Sequence, residues 1–452
     1  MQNNCSVDSV ANAVISAAME GGAEATEVFI QDSKEIGIRY CGEEVESIST
    51  GEDRGIGIRV IVNGKVGLLT STDLELDCVT QRTRELVRLV SQLPEDRATT
   101  FPLPSGEIDK FVYFDQGMLF LTLEDRLKIL ERQKEECFST SQSINGIDSL
   151  EYFDVISKIH LFNSFGLHVS YLSTIYSFFL CCTCSEGNRY GVGSDGAIEV
   201  SIDRLAKRKV GERAAKKALI DMLGRPAKDQ ESTIILAPEP AALLLSHLAK
   251  AVSGDQILKN QSMWIDKLGH QVASPLVNIY DDRLYPFGVE TVPIDGEGVR
   301  AQKTAVIEQG ILKSWLHDMT TASLLQTRST GNASRNSFRD YPVLSCSNFY
   351  LKPGQQTEEQ LIQSVSEGLY VYVLTDIGSI NHINGQFTAY ATGYWIERGH
   401  LTCPITSTTI SGKLDEMLFH ISGVANNLEW HGIGGNFGSP SIRVDHVQIN
   451  GE

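Results

Sequence analysis

The first place to look for chemistry is a helix that carries a histidine. The stretch EPAALLLSHLAKAVSGD, residues 239–255, repeats apolar residues at helical spacing with His247 in its middle. A zinc helix of the thermolysin kind needs two histidines four apart on one face and a glutamate beside the first as general base. Three and four residues either side of His247 stand Leu243, Leu244, Lys250 and Ala251, none a metal ligand. The apolar stripe runs through Ala241, Leu244, Leu245, Leu248 and Val252, and His247 sits roughly 120° off its centre. It reads as a rim histidine of a packing helix.

Other constellations lead no further. GVGSDG (191–196) matches G-x-G-x-x-G, but the phosphate mechanism needs a helix immediately after the loop, and the alternating AIEVSID follows. A turn between strands is the reading. GIGGNFG (432–438) lacks the Lys-Ser/Thr of a P-loop. Cys181 and Cys184 form a C-x-x-C with no second pair at zinc-site spacing, so a buried structural role is expected. No G-x-S-x-G occurs, and FNSFG (162–166) lacks the first glycine. YDDRLYP (280–286) and IDGEG (294–298) supply acids suited to acid–base work. Their glycine and proline neighbours suggest solvated loops.

The elements that would position such groups fall into three units, expected at 1–105, 106–228 and 229–452. In the first, a helix over residues 6–22 ends at Gly21-Gly22. RGIGIRVIVNGKVGLLTST (54–72) then pairs two alternating strands about Asn63-Gly64, a dipeptide suited to a type I′ turn. A helix follows from about Asp73 to Leu93, then a proline-rich connection over 93–106. The second unit has a helix in LEDRLKILERQKEECFST, strand-like segments, and a closing helix stopped by Gly224 and Pro226. The third opens with STIILAP before the quoted helix and is strand-dominated beyond about 290. The class is α+β: N-terminal α/β units with mixed sheets, then a β-rich domain built as an antiparallel sheet or open barrel.

Composition narrows the function. The 452 residues are 42% apolar and 21% charged, with a net charge of −18. Such acidity repels phosphate backbones, so no nucleic-acid partner is expected. The densest basic run, RLAKRKVGERAAKK (204–217), reads as a solvated helix face. The longest apolar run, STIYSFFLCC, falls short of the roughly 20 residues a bilayer helix needs, so no membrane is expected either. The N-terminus has no basic region before an apolar one, and nine irregularly spaced cysteines form no disulfide framework. Cytoplasm is the expected location.

The order of segments resembles the TldD/PmbA family. GIGIRVIVNGKVGLLTSTDL and EVSIDRLAKRKVGERAAKKALIDMLG look like its N-terminal half. AVSGDQILKNQSMWIDKLGHQV, STGNASR, GQFTAYATGYWIERGHLTCPITSTTISGKLDEML and GSPSIRV resemble its PmbA/TldE branch. The likeness covers nearly the whole chain and is strongest over 240–445. DDR stands where Asp-Asp-Pro is expected, and IDGEG where Asp-Asp-Glu-Gly is usual. In that family the TldD-type chain binds zinc through an H-E-x-x-x-H helix and a C-terminal cysteine. The PmbA-type chain lacks them and pairs with it as a peptidase acting on unfolded or leader-bearing peptides. Aligned through the shared Gly-Asp, the zinc positions fall on Leu245, Ser246 and Lys250. The resemblance thus implies a chain with no catalytic residue and no metal or cofactor of its own, silent alone, with zinc in a TldD-type partner. It also implies a cleft for an extended peptide, for which Asn332, Arg335, Gln386, Phe387 and Tyr394 are candidates. Two alternatives are a stand-alone homodimeric peptide-binding modulator and an independent hydrolase using Cys181, Cys184 or the acidic loops.

Overall fold

The computed structural model describes residues 6–42, 44–93, 101–104, 114–375, 380–431 and 435–451. Helix α1 (Val7–Glu20) starts where the Ser6 hydroxyl accepts from the Ser9 N–H, and it stops at Gly21. Strands β1 (Ala25–Cys41), β2 (Glu44–Val62) and β3 (Lys65–Ser71) follow, then α2 (Leu76–Ser91). The β2–β3 turn holds Asn63 at φ 50° and Gly64 at φ 69°, the two positive values a two-residue hairpin requires. Helix α3 (Leu123–Thr140) opens with a capping box between Thr122 and Asp125. Three long strands come next: β4 (Ile144–Asn163), β5 (His168–Glu186) and β6 (Arg189–Glu199).

These six strands make one sheet in the order β3-β2-β1-β4-β5-β6, antiparallel throughout. The junction expected near 105/106 lies outside the described residues, and β1 and β4 pair across it. Because side chains alternate along a strand, parity decides what each face meets. Ile38, Tyr40, Leu150, Tyr152 and Phe178 pack against Leu130 of α3 and against Ala214 and Ala218 of the helix that follows the sheet. Val28, Ile30, Ile56 and Ile58 pack under α1 and α2. The opposite parity points away from all four helices. Part of it, Phe29, Leu161 and Val169, closes on Ile294 and Phe338 of the C-terminal region.

After the sheet come α4 (Ile202–Leu205) and α5 (Val210–Leu223). GVGSDG, expected as a turn, is the middle of β6. Its first two glycines serve packing: a Cβ on Gly193 would meet Ala214 O and Ala218 N of α5 at 2.2 Å each. The basic run at 204–217 is also less solvated than its composition suggests. Arg204 and Arg208 bind Glu199, and Arg213 and buried Lys217 bind Asp195.

The C-terminal region begins with β7 (Gln230–Leu236) and α6 (Pro238–Ala251). Strands β8 (Ile279–Asp282), β9 (Lys303–Glu308), β10 (Ile311–Leu312), β11 (Ala333–Ser334), β12 (Val343–Leu344) and β13 (Phe349–Leu351) are short. Longer ones follow: β14 (Glu367–Thr375), β15 (Gln386–Glu397) and β16 (His400–Lys413). The last are β17 (Ile421–Val424), β18 (Glu429–His431), β19 (Phe437–Ser439) and β20 (Ile442–Asn450). One sheet runs β16-β15-β14-β7-β20-β17, and a further β16–β20 pairing closes five of these strands into a barrel. A second runs β10-β9-β8-β13-β19-β18 and ends on β18. Helix α6 fills the space between them, with Leu244, Leu245 and Leu248 in a core shared with Ile279, Leu351, Leu369 and Val444. Among the described residues no helix is long and apolar enough to cross a membrane.

Candidate functional site

Helix α6 begins with Pro238 at its first position, where a missing N–H costs nothing. Its partly accessible residues are Glu239, Leu243, Ser246, His247 and Lys250, spaced as one helical face. Leu245 is on the other side, in the core. Of the three positions that the resemblance sets against a zinc helix, Leu245, Ser246 and Lys250, one faces inward. Ser246 donates its hydroxyl to Leu243 O within its own helix at 2.7 Å, and Lys250 points to solvent. His247 stacks on His382 with ring centroids 5.6 Å apart, and its Nδ1 is buried without a partner among the described residues. Burial, reinforced by Lys250 and His382, brings its pKa down to about 4, so the ring is neutral near pH 7.

The N-terminal end of this face looks into a cavity of about 690 Å³. Its floor is the part of the long sheet's helix-free face that does not close on the C-terminal region. Two cross-strand rows compose it: Ser49, Gly37, Phe153, Ser177 and Ile198, and beside them Ser47, Arg39, Glu151, Phe179 and Gly196. The roof is Glu239 and Leu243 of α6 with Trp430 and His431 of β18. Most charges around it are already matched. Lys217 bridges Asp195 at 2.9 Å and Glu239 at 2.6 Å, and Arg39 lies between Glu46 and Glu151 at 3.4 Å from each.

The five residues expected along a peptide cleft do not converge. Asn332 is fully buried, donating to Asp281 Oδ1 at 2.8 Å and to Ser345 O at 3.2 Å. Arg335 is buried too, but at the junction with the N-terminal sheet. It donates to Glu27 on β1 at 2.5 Å and lies over the Phe29 ring. Arg59 grips the same carboxylate through two bonds of 3.0 and 2.8 Å. Burial works to raise the Glu27 pKa, but the two guanidiniums outweigh it and hold it below the usual range. Phe387 is a core residue of the barrel, and Tyr394 half-buries beside Tyr370 and Ile396. Gln386 alone is solvent-facing, in an open polar groove with Asn381, Ser411 and Lys413.

The acidic loops, expected in solvent, are interior. Asp281, Asp282, Asp295 and Glu297 are all buried. Asp281 is held by the Ser347 N–H and hydroxyl, each at 2.7 Å, and burial raises its pKa nonetheless. Glu297 accepts from the Met319 N–H at 2.9 Å, and burial, with Asp295 beside it, pushes its pKa up to about 8. Composition alone hid this, because glycine and proline mark turns whether or not the turn is covered. Cys181 and Cys184, three apart on β5, point to opposite faces of the sheet, and burial raises both thiols. They cannot act as a pair.

Three matches to family descriptions cover most of the chain. PmbA/TldA metallopeptidase domain 1 matches residues 26–93, the central domain 119–221 and the C-terminal domain 229–451. The chain is 25% identical over 452 residues to metalloprotease PmbA of Escherichia coli O157:H7, covering 97% of this chain and 95% of that protein. It is 24% identical over 425 residues to a metalloprotease TldD homolog of Haemophilus influenzae, covering 88% and 87%. Its fold is similar to that of TldE from Thermococcus kodakarensis, with a TM-score of 0.90 and 22% identity over 98% of this chain and 100% of that one. A metallopeptidase holds a metal, and the described residues gather no ligand set for one. Among the described residues no three His, Cys, Asp or Glu side chains are placed to share an ion. The aligned positions offer an alkyl group, a hydroxyl tied to its own helix and an ammonium.

Proposed function

The chain belongs to the PmbA/TldD metallopeptidase family, and from that premise we propose that it is a TldE-like, non-catalytic subunit of a zinc peptidase. What supports this is the composition of α6, whose Leu245, Ser246 and Lys250 are the residues that the resemblance sets against the zinc ligands. Its partner is a TldD-type chain that holds the zinc, and the pair cleaves unfolded or leader-bearing peptides. This chain contributes by completing a cleft around an extended peptide. Such a peptide is held through its main chain at a sheet edge, which makes recognition broad in sequence. Gln386, and Tyr394 in part, remain accessible to it. The eight described cysteines are all free, which suits the reducing cytoplasm.

The test is zinc content and peptide cleavage, measured on the purified chain alone and after co-expression with the TldD-type chain of the same organism. Metal and cleavage are expected only with the partner. Stoichiometric zinc in this chain alone, or equal cleavage by the partner without it, overturns the reading. A homodimer that binds peptides and never gains activity from a TldD-type chain would favour the stand-alone modulator instead.

A further inference from the structure

The cavity between the long sheet and α6 has features that a filled structural gap lacks. Phe153 and Phe179 are 37% and 40% exposed although they lie on an inner face. They are diagonal neighbours across β4 and β5, since Phe153 pairs with Ser177 and Phe179 with Glu151. Two aromatic rings therefore stand unburied on the floor of an open cleft. Leu243 adds an apolar wall from above. A cleft of about 690 Å³ with an aromatic pair among polar neighbours is in the size range of ligand sites.

The roof adds a second and independent observation. Strand β18 ends its sheet. On the side away from β19, its main chain has no backbone partner among the described residues. An unpaired edge beside a cavity is a template for one more strand. The ionic groups nearby are matched to each other, so they select no charged ligand. Lys217 is shared by Asp195 and Glu239, and Arg39 by Glu46 and Glu151.

We infer that this cavity is a peptide-binding site of the chain's own, taking an extended segment along β18 with a large aromatic or aliphatic side chain set between Phe153 and Phe179. The inference rests on the peptide-handling reading above and names the side-chain class that reading leaves open. Main-chain pairing to β18 supplies sequence-tolerant affinity, and the aromatic pair supplies the preference.

The experiment uses the purified full chain without a partner and dye-labelled decapeptides read by fluorescence anisotropy. One peptide alternates threonine with phenylalanine, a second replaces each phenylalanine by serine, and a third carries proline at every other position. The first peptide is expected to bind. The second should bind about tenfold more weakly, and the third should not bind, because proline removes the main-chain donors. Phe179→Ser should weaken the first peptide by a similar factor. Gly196→Leu should block it by filling the floor, since a Cβ there meets its nearest neighbour at 3.4 Å and can be accommodated. Leu89→Ser, exposed on α2, serves as the control that changes nothing. Wild-type binding by folded Phe179→Ser and Gly196→Leu overturns the site, as does absence of binding to the wild-type chain. Partner-dependent cleavage is scored separately. Cleavage by the pair with no binding here refutes this site and leaves the subunit reading standing, whereas binding here with no such cleavage does the reverse.

Discussion

The junction of the two halves can be tested through its three buried charges. Glu27 accepts from Arg59 at 3.0 and 2.8 Å and from Arg335 at 2.5 Å, and all three side chains are buried. Glu27→Gln takes from two guanidiniums the carboxylate they share, a loss on the order of 3–5 kcal/mol for a broken buried pair. Arg335→Met removes one of two cations and keeps the two-bond grip of Arg59. Arg335 also leaves Nε and Nη1 without partners among the described residues, and the substitution relieves that cost. The expected loss is about 0–2 kcal/mol. Urea titrations at pH 7, followed by tryptophan fluorescence and by circular dichroism, would rank the two variants. Glu27→Gln should shift the midpoint clearly and Arg335→Met little. If Arg335→Met costs as much as Glu27→Gln or more, the assignment of Glu27 as the shared counter-ion is wrong.

Two further outcomes follow from the same interior. Glu297 holds its proton to about pH 8 when folded and to about 4.5 when unfolded, so the folded state binds more protons between those values. Its contribution therefore makes stability fall as pH rises from 4.5 to 8, by up to about 1.4 kcal/mol per pH unit. Glu297→Gln should flatten the pH dependence of the melting temperature over that window, and an unchanged slope would refute the assignment. Gly193→Ala places a methyl 2.2 Å from α5 backbone, so helix and strand must part. We expect a loss of about 1–3 kcal/mol, typical of overpacking, read as a lower denaturant midpoint. A variant as stable as the parent would mean that α5 shifts freely on β6.

Local signals were legible where the chain's own residues decide the outcome. Asn63-Gly64 announces its turn because few residues tolerate two positive φ values in succession, and Thr122 with Asp125 caps α3 through neighbours three apart. The apolar stripe of α6 was readable because burial follows its period. What stayed hidden depends on distant segments. GVGSDG looks like a turn, but pairing with β5 makes it a strand, and the approach of α5 requires glycine at 191 and 193. Arg335 reads as a candidate for the peptide cleft, and its partner Glu27 is 308 positions away. The acids at 281–282 and 295–297 are likewise covered by parts of the chain that their own neighbours do not announce. The cavity combines strand parity in the first half with a helix and an edge strand from the second, so no single stretch could reveal it.

The closing of Phe29, Leu161 and Val169 on Ile294 and Phe338 has a consequence for synthesis. The long sheet is complete at Glu199, but Phe338 leaves the ribosome about 140 residues later. At the usual ~5–20 residues per second this is a delay of roughly 7–28 s. During that interval a finished sheet with helices on one side leaves the apolar patch of Phe29, Leu161 and Val169 on its other side uncovered. The barrel takes longer still, since β20 must arrive before the gap between β7 and β16 can close. The nascent chain therefore has a sticky half-built stage, and chaperone demand should peak between residues 200 and 338 of translation.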